Sequence, residues 1–334
     1  MKYINLKFVS TIYNLYNGSN TSNPDFNSQS ISFNFDEENL TSYSNIYNLA
    51  EMSYNAYTYI NNTEWDKIPY NKTDLPDIQD TIKGYIFSDN DDKNVIIAIK
   101  GTSLYWTRRQ RSAGFDLLSS QTDKFNDNLF LSCCYYKQSS IFNGLCKDPN
   151  KEDHVCLKEC YQNSTLFELN YFKIAKQIIE NLKSNRIIDF ERSNIVFTGH
   201  SLGGVIATYL GVIYDRPVIT FEAPGEKYYF DLIDLDYSKA KNIYHYGHNA
   251  DIIFTGKCNG INSYCYIGGY IIRTKCHIGK TCMYDSVNKL KFSESLWNHR
   301  LRIIIDKIIP HWLNDPPICQ EQIDCIDCEK WKHV

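Results

Sequence analysis

No stretch of this 334-residue chain is apolar over the roughly 20 residues that a bilayer-spanning helix needs. Positive charge is not in excess either: 35 Lys and Arg stand against 39 Asp and Glu, for a net charge of −4. That balance argues against the broad basic field of a nucleic-acid binder, and there is no polybasic run to hold an anionic membrane. Any encounter with lipid must therefore use local apolar surface. A convincing secretory signal is also missing. The start, MKYINLKFVSTIYNLY, offers a lysine and hydrophobics, but Asn5, Lys7, Ser10 and Asn14 interrupt them. Internal repeats are absent, and residues 17–36 are polar, turn-forming and expected to be flexible, so 1–39 is read as a flexible N-terminal segment.

Cysteine, in contrast, is abundant. Twelve fall in groups of five (Cys133, Cys134, Cys146, Cys156, Cys160), four (Cys258, Cys265, Cys276, Cys282) and three (Cys319, Cys325, Cys328). An even total in irregular, polar segments reads as disulfides formed in an oxidising compartment. Two groups are odd, so complete pairing requires at least one bridge to leave each of them. The competing reading is a zinc site on Cys325-x-x-Cys328, but no second such pair stands at ligand spacing. Asn-x-Ser/Thr acceptors at Asn17, Asn20, Asn39, Asn61, Asn71 and Asn163 favour the same lumenal or extracellular setting.

Periodicity gives the architecture. Tyr43, Ile46, Leu49, Ala50 and Tyr57 are spaced as one helix face, and Tyr171, Ile174, Ile178 and Leu182 as another. The all-apolar run in NVIIAIKGT (94–102) suits a strand buried on both faces. PVITFEAPG (217–225) and NIYHYGH (242–248) are further strands, and Leu301, Ile304, Ile305, Ile308 and Trp312 mark the apolar face of a terminal helix. Strands alternating with helices imply an α/β fold, a mostly parallel central sheet with helices on both faces. One domain over 40–334 is expected, with disulfide-rich insertions at 103–169, 255–285 and 314–334. The first is read as a long irregular excursion, and loops of such length are often functional lids.

The residues that carry chemistry sit in IVFTGHSLGG (195–204). Gly199-His200-Ser201-Leu202-Gly203 is a G-x-S-x-G pattern, which as a bare pattern proves little. Here a buried strand precedes it and a helix rich in small residues follows. That is the setting of a nucleophile elbow, where Gly199 and Gly203 allow the sharp turn that presents the serine hydroxyl. The plain alternative is a strand–helix turn with a capping serine.

With that context, GHSLGG resembles the class 3 lipases of fungi. TFEAPGE (220–226), ADIIFTGKCNG (250–260), GGYIIRTKCHIGKTC (268–282), DCIDCEKW (324–331) and KFNDNLFLSCCYY (124–136) are similar to the autophagic, vacuolar phospholipases and lipases within that family. The resemblance covers about residues 40–334 and implies an α/β-hydrolase fold. It also implies hydrolysis of membrane glycerolipids in a vacuole or lysosome lumen, reached by the secretory pathway, with breakdown of autophagic bodies. Members of the family carry a transmembrane anchor at the front that is not visible in this sequence.

Ser201 would need a base and an acid, in the chain order Ser, acid, His. Asp251, just past the 242–248 strand, matches the acid of the resembling family, while Asp234 and Asp236 lie in a more polar stretch. Histidines beyond it are His277, His299, His311 and His333. His299, in WNHRLRIII ahead of the terminal helix, matches the family's histidine. His277 lies between two cysteines and reads as structural, and His311 as surface or packing. The oxyanion hole is expected from the Leu202 N–H and, by the resemblance, from Thr102. Leu104, Tyr105, Trp106, Phe115, Leu117 and Leu118 are lid and substrate candidates, with Arg108, Arg109 and Arg111 placed for phosphate head groups. The other reading is a solvated loop. No residue demands a metal or an organic cofactor, and the partner implied is a lipid surface, with no obligate protein partner evident. Two rival functions remain: a catalytically inactive lumenal lipid-binding protein on the same fold, and a water-soluble carboxylesterase.

Overall fold

The computed structural model describes residues 39–334 apart from 59, 61, 77–80, 103–116, 135–145, 147–153, 239, 260 and 261, and of 117–120 only the backbone. The chain enters through helix α1 (Tyr43–Asn55), whose first turn is capped by the Ser42 hydroxyl accepting from Asn45 N–H. Three strands follow, β1 (Asn71–Asp74), β2 (Gly84–Ser88) and β3 (Asn94–Ile99), paired antiparallel in succession. After helix α2 (Leu117–Leu131) come the short strand β4 (Val155–Cys156), helix α3 (Lys158–Ser164) and the amphipathic helix α4 (Tyr171–Ser184). Then strand and helix alternate: β5 (Asn194–His200), α5 (Leu202–Tyr214), β6 (Val218–Phe221), α6 (Lys227–Leu232), β7 (Ile243–His248) and β8 (Lys280–Tyr284).

The large sheet runs β1-β2-β3-β5-β6-β7-β8-β9, where β9 is Cys319–Glu321. From β3 to β8 every pairing is parallel, and the two flanks are antiparallel. A second small sheet joins β4 to β10 (Lys332–His333). The sheet is sandwiched, and β5 shows why. Successive strand side chains face opposite sides. Thr198 Oγ1 lies 3.0 Å from Ser53 Oγ of α1, whereas the ring of its neighbour Phe197 packs toward Tyr214 of α5. All six residues of β3 are buried, as a strand covered on both faces requires.

Two sequence readings need correction. The excursion at 103–169 is not irregular throughout, since it contains α2, β4 and α3. Of α2, Phe125, Leu129, Phe130 and Leu131 enter the core, while Asp123, Asn126 and Asp127 are buried polar residues, so no simple apolar stripe announced it. The terminal helix also does not keep one pitch. It begins as α-helix (Leu301–Ile303), widens to a π turn (Ile304–Ile308) and tightens to 3₁₀ (Ile309–Leu313). Pro310 has no N–H to continue an α ladder, so the winding changes around it. Its expected apolar residues are all buried nonetheless.

All twelve cysteines are in disulfides, which removes the zinc reading of Cys325 and Cys328. Cys133–Cys328 ties the first group to the last, and Cys276–Cys325 and Cys282–Cys319 tie the second to the last. Cys134–Cys156, Cys146–Cys160 and Cys258–Cys265 close within their groups. Among the acceptor asparagines, Asn39, Asn71 and Asn163 are exposed. No helix among the described residues is long and apolar enough to cross a membrane.

Candidate active site

Parallel strands end their carboxyl termini at one edge of the sheet, and that edge is where α/β proteins collect chemistry. Thr102 follows β3, Ser201 follows β5, Glu222 follows β6 and Asp251 follows β7. Ser201 occupies the turn between β5 and α5 with φ +56° and ψ −132°, a strained conformation for a residue with a side chain. The flanking glycines make the turn possible. A Cβ on Gly199 would lie 2.5 Å from the Gly203 carbonyl carbon, and one on Gly203 would lie 2.2 Å from the Ile99 carbonyl oxygen.

Three side chains that are distant in sequence converge here. The Ser201 hydroxyl lies 2.8 Å from His299 Nε2, and His299 Nδ1 lies 2.7 Å from Asp251 Oδ2. All three are buried, Ser201 the least so at 8 % exposure. The histidine is positioned by the turn that leads into it. Ser295 N–H and the Asn298 side-chain amide both donate to the Ala250 carbonyl, so the 3₁₀ turn carrying His299 (Leu296–His299) is tied to the residue before Asp251. Asp251 accepts a second bond on Oδ1 from Ile253 N–H at 2.8 Å. Burial alone would raise its carboxyl, but His299, Glu222 and His248 together hold it down at about 2.

His200 does more than fill the elbow. Its Nε2 lies 2.8 Å from the His299 carbonyl and its Nδ1 2.7 Å from Tyr57 Oη, whose oxygen accepts from Gly101 N–H at 3.0 Å. Burial, with the nearby His299, depresses the His200 ring to about 3, so it is neutral and acts as a fixed bridge. A chain of bonds thus runs from the end of β3 to the backbone of His299. The sequence spacing puts Tyr57 on the face of the first helix, but that helix ends at Asn55; the part of Tyr57 in the bridge was hidden because 143 residues separate it from the elbow.

The Leu202 N–H opens α5, where a first-turn amide has no acceptor within its own helix. Thr102 is buried and its hydroxyl donates to Asp127 Oδ2 at 2.7 Å. Burial raises the Asp127 carboxyl to about 8 despite that bond. Trp106 and Phe115 lie outside the described residues, as do Leu104, Tyr105, Arg108, Arg109 and Arg111 and the side chains of Leu117 and Leu118. Asp234 is exposed and bonded to Lys158 and Gln162, and Asp236 to Ser238. His277 donates from Nε2 to the Ala223 carbonyl, His311 is exposed, and His333 packs beside Tyr161 and Tyr228.

Residues of metal-binding type cluster twice among the described residues, as Glu222, Asp251 and His299 and as Glu226, His245 and His277. In the first, both His299 nitrogens are already engaged by Ser201 and Asp251. In the second, the Nε2 atoms of His245 and His277 face the Ile278 and Ala223 carbonyls, and Glu226 Oε1 accepts from Ile278 N–H. That set braces the loop ahead of β8 against β6 and β7.

Residues 96–222, from β3 through the elbow to the end of β6, match the model of the family described as Lipase (class 3). The chain is 33% identical over 307 residues to the protein of Saccharomyces cerevisiae S288c named "Putative lipase ATG15", covering 89% of this chain and 57% of that one. The protein of the same name from Candida glabrata is 39% identical over 270 residues, 77% of this chain and 50% of the relative. The chain belongs to the class 3 lipase family. It spans between half and three-fifths of the length of these two relatives. The crystal structure of Lip2 lipase from Yarrowia lipolytica aligns with 74% of this class 3 family member and 80% of that chain, at 17% identity and a TM-score of 0.38.

Proposed function

We propose that this chain is a serine hydrolase that cleaves carboxylic esters of membrane glycerolipids through an acyl-enzyme. The observation that carries the reading is His299 placed between Ser201 Oγ and Asp251 Oδ2 in one buried line. In this scheme the Ser201 oxygen attacks the ester carbonyl while His299 Nε2 takes its proton, and Asp251 holds the proton on Nδ1 and balances the imidazolium. Collapse of the tetrahedral intermediate breaks the ester C–O bond, and His299 returns the proton to the departing alcohol. Water, deprotonated by the same nitrogen, then releases the fatty acid and restores Ser201. The Leu202 N–H and the Thr102 N–H are assigned to the developing oxyanion, the Thr102 hydroxyl being engaged by Asp127; one such donor commonly contributes about 10²–10³ in rate.

Two names support lipid as substrate: the family's, and the lipase name carried by relatives at 33% and 39% identity. The resemblance extends the reading to phospholipid and triacylglycerol and to autophagic membranes inside a vacuole. Six disulfides suit an oxidising compartment of that kind. The intact hydrogen-bonded triple weighs against an inactive lipid-binding protein.

A fluorophosphonate probe tests the chemistry. It should label the protein, and Ser201→Ala should abolish labelling; an unlabelled wild type overturns the reading. Mass spectrometry of mixed phospholipid and triacylglycerol vesicles should show free fatty acid only with the wild type. Cleavage confined to short soluble esters, with no gain from vesicles, would instead make it a soluble esterase.

A further inference from the structure

Glu222 lies immediately beyond β6, and its side chain is wholly buried. Its backbone stands at φ +49°, a left-handed conformation that glutamate adopts seldom. The Glu222 N–H donates to the Tyr246 carbonyl at 2.8 Å, so the strained residue is clamped to β7. Strain of this kind costs on the order of 1–3 kcal/mol and persists where surrounding structure enforces it, often at functional sites. Here the turn delivers a second carboxyl group behind Asp251. A carboxyl oxygen from each of Glu222 and Asp251 and a ring nitrogen of His299 lie within 4.8 Å of one another.

Two carboxyl groups so close, and so buried, cannot both be ionised. The available donors decide which one carries the charge. Asp251 receives Ile253 N–H on one oxygen and His299 Nδ1 on the other. Neither Glu222 oxygen has a well-aligned N–H or O–H donor. His248 Nε2 comes within 3.4 Å of Glu222 Oε1, but it faces the Asn298 carbonyl at 3.2 Å. An ionised Glu222 would be a buried charge with only the His248 backbone to offset it, which proteins rarely tolerate. A protonated Glu222 has one partner within reach, the Asp251 carboxylate. Burial, then the charge of Asp251 and the bond to it, push the Glu222 carboxyl well above the carboxylate range, against a smaller pull from the His248 backbone.

We propose that Glu222 is a positioning residue of the esterase site, a neutral carboxylic acid that donates its O–H to Asp251 and so weakens that carboxylate's hold on the His299 imidazolium. The proposal rests on the reading of Ser201, Asp251 and His299 given above. A carboxylate that accepts a third hydrogen bond is a weaker partner for an imidazolium. The acid limb of the activity is therefore expected at lower pH than with an Asp251 that lacks this donor.

The other titratable groups around Glu222 leave this role to it. His200 on β5 and His245 and His248 on β7 are all driven neutral, chiefly by burial. His277, ahead of β8, is likewise depressed by burial. Glu226, four residues on, is pushed by burial up to about 8, despite accepting the Ile278 N–H. No Lys or Arg forms an ion pair with Glu222 or Asp251 among the described residues.

The test compares Glu222→Gln, whose amide still donates, with Glu222→Leu, which cannot. At a pH between 5 and 7, the infrared spectrum of wild type minus that of Glu222→Gln should show the carbonyl stretch of one protonated carboxylic acid, the bands of Asp127 and Glu226 cancelling. The acid limb of kcat/KM on a soluble ester should move up by roughly one pH unit in Glu222→Leu, with kcat falling more than KM changes, and Glu222→Gln should keep the wild-type limb. Loss of folded protein in Glu222→Leu leaves the infrared band and the Glu222→Gln profile to decide. The idea is overturned by a missing acid band in the wild type minus Glu222→Gln difference, by an unmoved limb in folded Glu222→Leu, or by a limb shifted in Glu222→Gln. The infrared result stands even if Ser201 takes no fluorophosphonate, so failure of this role and failure of the esterase reading are told apart.

Discussion

The middle of the sheet and the tail after residue 314 are held in place by different forces. Along β3, β5 and β6 nearly every residue is buried, and Phe197, Ile97 and Ile219 have no exposed surface. The tail instead leaves Ile318 at 81% and Ile323 at 86% exposure, so it gains little from apolar burial. Its anchors are covalent, with Cys319, Cys325 and Cys328 each bridged to an earlier segment. The elbow thus rests on close packing, where a single added methyl has no room. The tail is a strap whose place is set by three S–S bonds and short strands. This difference predicts that activity depends on the first region and can survive damage to the second.

The largest effect expected is at the site itself. Ser201→Ala should lower kcat by about 10⁶, and Asp251→Asn by about 10⁴ through the wrong histidine tautomer, both with the protein still folded. Ester turnover and circular dichroism on the same samples check this. Next, Phe197→Ala beneath the elbow should cost about 3–5 kcal/mol of stability by leaving a cavity, read as a lowered urea midpoint together with lost turnover. Replacing Cys276 and Cys325 together by Ala should cost about 2–4 kcal/mol and open the tail to trypsin, while kcat/KM stays within about twofold. A matching loss of activity would erase the distinction between the two regions.

A smaller, graded effect comes from pH. Burial raises Asp127 and Glu226 each to about 8 from ordinary values of 3.8 and 4.5. The folded state therefore keeps protons that the unfolded chain has released. Stability should fall as pH rises from about 6.5 through about 8, whereas below about 6.5 the buried, neutral His200, His245, His248 and His277 oppose this trend because they would be protonated in the unfolded chain. Asp251, held at about 2, works in the opposite direction only below about pH 4. Calorimetry should find a higher Tm at pH 6.5 than at pH 8, with the gap narrowed in Asp127→Asn. Ile323→Ser in the tail should change Tm least, by less than about 0.5 kcal/mol equivalent.

Legibility followed sequence distance. The elbow is contiguous, with strand, glycines, serine and helix all within residues 194–214, so its pattern shows in the chain itself. Asp251 and His299 could be placed because the order of strands orders the loops at one sheet edge, with the family resemblance choosing among the candidates. The partners of those groups could not. Tyr57, Asp127 and Glu222 are common residue types, and only their burial beside Gly101, Thr102 and Asp251 distinguishes them. The helix α2 was hidden for a related reason, since its buried Asp123, Asn126 and Asp127 break the apolar period that reveals a helix.

The cysteines show the same division. Their count required that bridges leave two of the three groups, which is arithmetic. Which sulfur meets which depends on where α2, β8 and the tail lie in space, because a disulfide forms only between Cα atoms a few ångströms apart. From sequence alone came the class of fold, the turn that exposes Ser201 and the order of its candidate partners, all consequences of local periodicity and strand succession. Tertiary structure alone decided how deeply each carboxyl is buried and which donors reach it. Desolvation and hydrogen bonding are properties of neighbours brought together by folding, and they set whether Asp251 or Glu222 carries the charge.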